Sequence, residues 1–139
     1  MENKLITVEC SVNSTMDKVW HYWTQPEHIV IWNNASDNWH TTKATNDLRV
    51  GGKFIATMAA KDGSMSFDFE GTYTQVILNE KINYEILDGR KVSIQFSTIG
   101  NQVKIVETFE AEQENSLELQ QGGWQSIMNN FKKYVESDN

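Results

Sequence analysis

The sequence predicts an α+β domain: a curved antiparallel sheet of about six to seven strands wrapped on a long C-terminal helix, with two short helices after the first strand. Three observations predict it. Apolar residues alternate with polar ones through residues 5–12 and again through most of 53–109, the period of half-buried strands. Turn-forming pairs such as Asp62-Gly63, Asp88-Gly89 and Gly100-Asn101 separate those runs closely enough for hairpins. From Leu117 onward the spacing of apolar residues changes to that of a helix.

The first strand spans Leu5 to Val12, with Ile6, Val8, Cys10 and Val12 on one side and Thr7, Glu9 and Ser11 on the other. Ser14-Thr-Met-Asp17 offers a helix cap with an acid three positions later, and Met16, Val19, Trp20 and Trp23 follow at helical spacing. Pro26 starts a second helix over Glu27 to Trp32, so the two form an αα corner. Asn33-Asn-Ala-Ser-Asp-Asn38 is a polar loop flanked by Trp32 and Trp39, followed by a weak strand over Thr41 to Leu48. Gly51-Gly52 punctuates the chain, and Lys53 to Ala59 puts Phe54, Ala56 and Met58 on one face. After Lys61-Asp-Gly-Ser64 the return strand points Met65, Phe67, Phe69, Gly71 and Tyr73 one way. Further strands follow in Ile82-Tyr84-Ile86, Val92-Ile94-Phe96 and Val103-Ile105-Glu107-Phe109. Asn115 to Glu118 caps the last helix, along which Leu117, Gln121, Trp124, Ile127, Met128, Phe131, Tyr134 and Val135 form one face. Lys132 and Lys133 suit its negative end. A sheet this long curls, and one helix leaves part of its concave side unfilled, so an apolar cavity is expected between them.

The 139 residues suit one domain, 1–139, with 39% hydrophobic and 11% aromatic side chains to fill a core. A net charge of -7 opposes contact with nucleic acid or anionic membranes. No apolar stretch is long enough to span a bilayer and the N-terminus lacks the pattern of a signal peptide, so a cytoplasmic location is expected. The single cysteine, Cys10, reads as an inert strand thiol. His21, His28 and His40 show no second ligand at a deliberate metal spacing, apart from Asp37 near His40, so no metal and no cofactor is expected. No serine stands in a nucleophile-elbow context, and Gly51-Gly52 is too short to cradle a phosphate.

Two polar features stand out on apolar faces. Glu107 falls on the inward side of the last strand unless a bulge turns it outward or Arg49 or Arg90 pairs with it. Gln121 falls on the buried stripe of the last helix one turn before Trp124, where it either reads a ligand or, with Gln120, caps local backbone. Most of the aromatic residues are core, and those near the 32–40 loop and the open end of the sheet are pocket candidates.

The segments Trp23-Thr-Gln-Pro-Glu-His-Ile-Val-Ile-Trp32, Asn33-Asn-Ala-Ser-Asp37 with Trp39, Asp47-Leu-Arg-Val-Gly-Gly-Lys53, Phe69-Glu-Gly-Thr-Tyr73, Glu107-Thr-Phe-Glu110, Gly123-Trp-Gln125 and Asn130-Phe131 run nearly end to end. Together they resemble bacterial proteins similar to the C-terminal domain of the activator of heat-shock protein 90 ATPase, within the SRPBCC, or START-like, superfamily. The resemblance implies a helix-grip (START-like, Bet v-like) fold with a deep pocket, used across the superfamily for lipids, polyketides, hormones and aromatic metabolites. The eukaryotic activator engages its chaperone through an N-terminal domain that these residues do not include. The fold and pocket, rather than the co-chaperone role, are therefore what the resemblance is expected to carry.

The leading reading is a noncatalytic binding protein for a small hydrophobic or aromatic molecule. Trp32, Trp39, Phe69, Tyr73, Phe96, Phe109, Trp124 and Met128 are its expected walls, and Asn33, Glu107 and Gln121 its polar contacts. One alternative is a cyclase- or dehydratase-like enzyme in which Glu107 or His40 moves protons. Another is a stress-related module whose partner is a protein or a second copy of the chain.

Overall fold

The computed structural model describes residues 4–34 and 36–137. The start of the N-terminal reading (Met1 to Asn3) and Ala35 of the polar loop lie outside the described residues. The chain runs β1 (Leu5–Val12), α1 (Met16–Thr24), α2 (Pro26–Trp32), β2 (Trp39–Asn46), β3 (Lys53–Ala60), β4 (Ser66–Ile77), β5 (Lys81–Ile86), β6 (Lys91–Ile99), β7 (Gln102–Glu110) and α3 (Leu117–Ser137). The strands form one antiparallel sheet in the order β1-β7-β6-β5-β4-β3-β2, so β1 and β2 are its two edges. The curled sheet with its long C-terminal helix and two short helices after β1 is a helix-grip fold.

Alternation determines which side chains are inside. Ile6, Val8 and Val12 of β1, Ile82, Tyr84 and Ile86 of β5, Val92, Ile94 and Phe96 of β6, and Val103, Ile105 and Phe109 of β7 are all buried. Val19 and Trp20 of α1, Trp32 of α2, and Met128, Phe131 and Val135 of α3 complete the core. Trp23 joins the layers, meeting Trp32, Phe96 and Phe131 at ring-centroid distances of 5.0, 5.7 and 4.8 Å. Trp32 is pinned through its indole N–H, which donates to Tyr22 O at 2.9 Å.

The helix caps sit one residue later than the sequence suggests. Thr15, not Ser14, caps α1, its Oγ1 accepting from Lys18 N–H, and Ser116, not Asn115, accepts from Leu119 N–H at the start of α3. The weak strand at 41–48 becomes the longer β2, which takes in Trp39 and His40 because both pair with β3, opposite Ala60 and Ala59. A bulge lies in β2 between Thr41 and Lys43.

Lys132 and Lys133 precede the last turn of α3 rather than neutralising its end. Lys132 instead reaches the edge strand, donating to Ser11 O at 2.6 Å and pairing with Glu136 at 2.7 Å. Glu136 accepts from Asn13 N–H at 2.8 Å, and its hydrogen bond from Lys132 holds its carboxyl below the usual range. About two turns earlier, Gln125 accepts from Glu9 N–H and donates to Glu9 O. The side chains of α3 thus satisfy backbone groups that an edge strand would otherwise leave open.

Candidate functional site

Between the concave face of the sheet and the helices lies a cavity of about 250 Å³. Its floor comes from β5, β6 and β7 through Ile82, Tyr84, Ile94 and Glu107. Phe54, Ala56 and Met58 of β3 and Phe67, Phe69 and Tyr73 of β4 form one wall. The helices contribute Trp23, Ile29, Trp32, Trp124 and Ile127, with Asn33 at the C-cap of α2. Thr45 and Phe67 are the exposed members of the lining and mark where the cavity reaches the surface.

Local sequence keeps this space open. Gly71 on β4 lies under the rings, and a Cβ there would stand 2.8 Å from Phe54 and 3.0 Å from Tyr84. Only glycine lets Phe54, Phe69, Tyr73 and Tyr84 gather at this point. Gly52 is fixed by a different crowding, since a Cβ would fall 2.1 Å from Asp47 O, and its backbone pairs with Tyr73 to hold β4 against the start of β3.

Six of the residues expected at the site meet around the cavity: Trp32, Asn33, Phe69, Tyr73, Glu107 and Trp124. The other five lie elsewhere. Phe96, Phe109 and Met128 are buried in the core behind it, where neighbouring side chains fill the space around them. Trp39 sits on edge strand β2, its ring 5.9 Å from Phe67. Gln121 is exposed, and Gln120 takes the inward position, because the stripe that contains Met128, Phe131 and Val135 runs back through Trp124 to Gln120. The amide of Gln120 accepts from Glu112 N–H and donates to Asn115 O, closing the loop before α3. Leu117, placed by the sequence on the buried face, is 42% exposed, because the first turn of α3 is largely solvent-facing.

Glu107 is turned inward. Its register against Val8 of β1 and Ile94 of β6 is regular, so no bulge rotates it out, and it is 7% exposed. Neither Arg49 nor Arg90 pairs with it, since each engages its own near neighbour, Asp47 and Asp88. Among the described residues its carboxyl has no hydrogen-bond or ion-pair partner. Burial alone pushes its carboxyl up to about 8. Tyr84 is likewise held well above the usual phenol range, first by burial and then by the nearby Glu107. Tyr73 is raised by burial although its hydroxyl donates to Asn46 Oδ1 at 2.6 Å, and Asn46 in turn donates to Thr24 O.

Residues that sequence reasoning left off the site include Tyr84, Phe54, Ile94 and Ile127. The alternation places Tyr84 and Ile94 inward, but nothing in that period separates a side chain facing a void from one packed in the core.

The histidines also differ from expectation. His40 is exposed on β2 and outside the cavity lining, which removes it from any chemistry there. The α1–α2 corner brings His21, Glu27 and His28 together, with one ligand atom of each within 4.8 Å of the others. The linear spacing hides this because the corner folds the two helices back on each other. His28 is held there by stacking on Tyr22, with centroids 4.1 Å apart, and by a 2.7 Å hydrogen bond with Tyr134. The group lies apart from the cavity, which none of its three members lines.

Cys10 is half-buried on β1, and burial pushes its thiol up to about 12. Among the described residues no helix is long and apolar enough to cross a membrane.

Comparison with known proteins finds no match among curated ones. Solved structures do match. The solution structure of the AHSA1-like protein from Aeromonas hydrophila is 43% identical, with 97% of this chain and 94% of that one covered and a TM-score of 0.91. Chr148 from Cytophaga hutchinsonii is 55% identical, with 96% and 92% covered and a TM-score of 0.83. The Aha1 dimer from Colwellia psychrerythraea shares the fold at 15% identity and a TM-score of 0.76. The model of the family described as Activator of Hsp90 ATPase homolog 1-like protein matches residues 13–136, and with that match over nearly its whole length the chain belongs to this family.

Proposed function

We propose that the protein binds a small hydrophobic or aromatic molecule in the cavity between sheet and α3, without transforming it. The observation that carries this reading is a cavity of about 250 Å³ walled by aromatic and aliphatic side chains. A well-packed interior of this size keeps few voids larger than a water molecule, so a space this large held open by Gly71 calls for an occupant. Trp32, Phe69, Tyr73 and Trp124 supply contact area, and Asn33 and Glu107 supply polarity.

Native mass spectrometry of protein purified gently from its host tests the reading. The expected result is an added mass, released on denaturation. A bare protein mass, together with no response to a panel of lipids and aromatic compounds, would overturn it.

One observation favours a second reading, an enzyme of cyclase or dehydratase type. The carboxyl of Glu107, at about 8, lies where a group can both give and take protons near neutrality. Turnover of a bound compound that is lost in Glu107→Gln would establish that reading, and unchanged turnover would remove it.

A further inference from the structure

Glu107 and Tyr84 bring polar atoms into an otherwise apolar cavity. Both are buried residues, both line it, and neither side chain makes a hydrogen bond to any described residue. Tyr73, the other phenol in the lining, is by contrast spoken for by Asn46. Neither the carboxyl nor the hydroxyl is sealed in packed protein; both open into the cavity, where a ligand or water completes a polar group that the protein leaves without a partner.

Their placement follows from the register. Glu107 on β7 stands opposite Ile94 on β6, which stands opposite Ile82 on β5, and Tyr84 is the next inward residue after Ile82. Two strand spacings across the sheet and two residues along it separate the two Cα atoms by about 12 Å. Both side chains nevertheless line the one cavity, and no hydrogen bond joins them.

The protonation state determines what that atom is. Burial keeps the proton on Glu107 at neutral pH, and the phenol of Tyr84 keeps its own. Each group therefore presents one O–H donor. No Lys, Arg or His lines the cavity, so an anionic ligand would find no counter-charge there. A cationic ligand would need Glu107 to ionise where burial makes that costly. The remaining choice is an uncharged acceptor. The walls set the rest of the molecule: a cavity of about 150 Å³ accommodates benzene, so about 250 Å³ has room for one or two rings.

We infer that the ligand is an uncharged aromatic molecule with a carbonyl oxygen, held between the carboxyl O–H of Glu107 and the hydroxyl of Tyr84. This assignment rests on the binding role proposed above. A neutral carboxyl and a phenol donating to one oxygen is a known means of gripping a carbonyl group in an apolar site.

Three probes of nearly one shape test it: indane, 1-indanone and 1-aminoindane. Binding is read by the fluorescence of Trp23, Trp32 and Trp124, all of which line the cavity. The ketone is expected to bind about tenfold more tightly than the hydrocarbon, with the amine weakest. Tyr84→Phe and Glu107→Leu should each bring the ratio of ketone to indane affinity down towards one.

The pH dependence gives an independent reading in the unaltered protein. Ketone affinity should fall as pH rises through about 8, where Glu107 loses its proton. The other titratable groups acting on it or sharing its cavity are Cys10 on β1, Tyr73 on β4 and Tyr84 on β5, and all three are raised and keep their protons there. The lining residues of β2, β3, β6 and the helices carry no ionisable group. Glu107→Gln retains an N–H donor and should bind the ketone without that pH dependence. Indane binding with no preference for the ketone, or tightest binding of the amine, would overturn the assignment and leave the binding role standing. No binding of any of the three would overturn the assignment, and the mass-spectrometric test above then decides separately whether the binding role falls with it.

Discussion

The indole of Trp124 lies flat on the ring of Phe109, centroids 3.8 Å apart and planes 13° apart, so a cavity wall on α3 rests directly on a core residue of β7. Phe69 meets the same indole edge-on at 6.0 Å. Trp124→Ala removes both contacts and is expected to destabilise the fold by about 2–4 kcal/mol. It should also weaken binding of any ligand that fills the cavity. Urea denaturation of the variant, followed by the indane titration, measures both effects.

Glu107 should make stability fall with pH across a defined window. Its folded carboxyl titrates at about 8 against an ordinary 4.5, so the folded state holds more protons than the unfolded one between those values. Stability is therefore fully present below the lower value, decreases as pH rises through the window, and levels off above the upper one. The total is roughly 3–5 kcal/mol. Urea denaturation at intervals from pH 5 to 9 should show Glu107→Gln free of this decline, so that the variant gains on the parent as pH rises. Parallel curves for the two proteins would mean that the carboxyl is hydrated in the folded state.

Gly71→Ala should shrink the cavity at its β4 wall. The added methyl would stand 2.8 Å from Phe54, closer than real side chains come, and would press tightly on Tyr84 at 3.0 Å, so the Phe54 ring must move. A loss of about 1–3 kcal/mol is expected, with a larger proportional loss of indane binding. Equal binding in the variant would show that the rings relax away from the cavity rather than into it.

The edge strand is tethered by named side chains, and hydrogen exchange can read each tether separately. Gln125→Ala should lower protection of the Glu9 amide, and Glu136→Ala that of Asn13, each at a cost of about 1 kcal/mol. Protection at Val12, whose neighbours on β7 are untouched by either change, should hold.

Cys10 should be nearly inert to alkylation in the folded protein at pH 8, because its thiol is pushed up to about 12 and the strand half-buries it. Labelling with iodoacetamide should become rapid only in denaturant. Rapid labelling of the native protein would show that β1 opens often.

Much of this architecture is legible in the sequence, and the errors have physical causes. The inward direction of Glu107 follows from a period of two, and it holds because β7 has regular partners on both sides. The helical stripe is less certain, because a residue and its successor are 100° apart and a small rotation exchanges Gln121 for Gln120. Phe96, Phe109 and Met128 are as inward as Phe69 and Trp124, yet they face filled space. Whether an inward ring meets a void depends on every neighbour at once, and no periodicity encodes that. The grouping of His21, Glu27 and His28 was hidden for a related reason, since it depends on the angle between two helices.

The bulge between Thr41 and Lys43 reaches beyond the strand that contains it. β2 is a sheet edge, the place where a foreign strand could add itself and begin a polymer. An incoming chain extends such an edge only by finding evenly spaced donors and acceptors, and the extra residue breaks that spacing partway along, with exposed Lys43 beside it. A protein that holds its sheet open around a cavity has thereby made its free margin a poor template for fibrils.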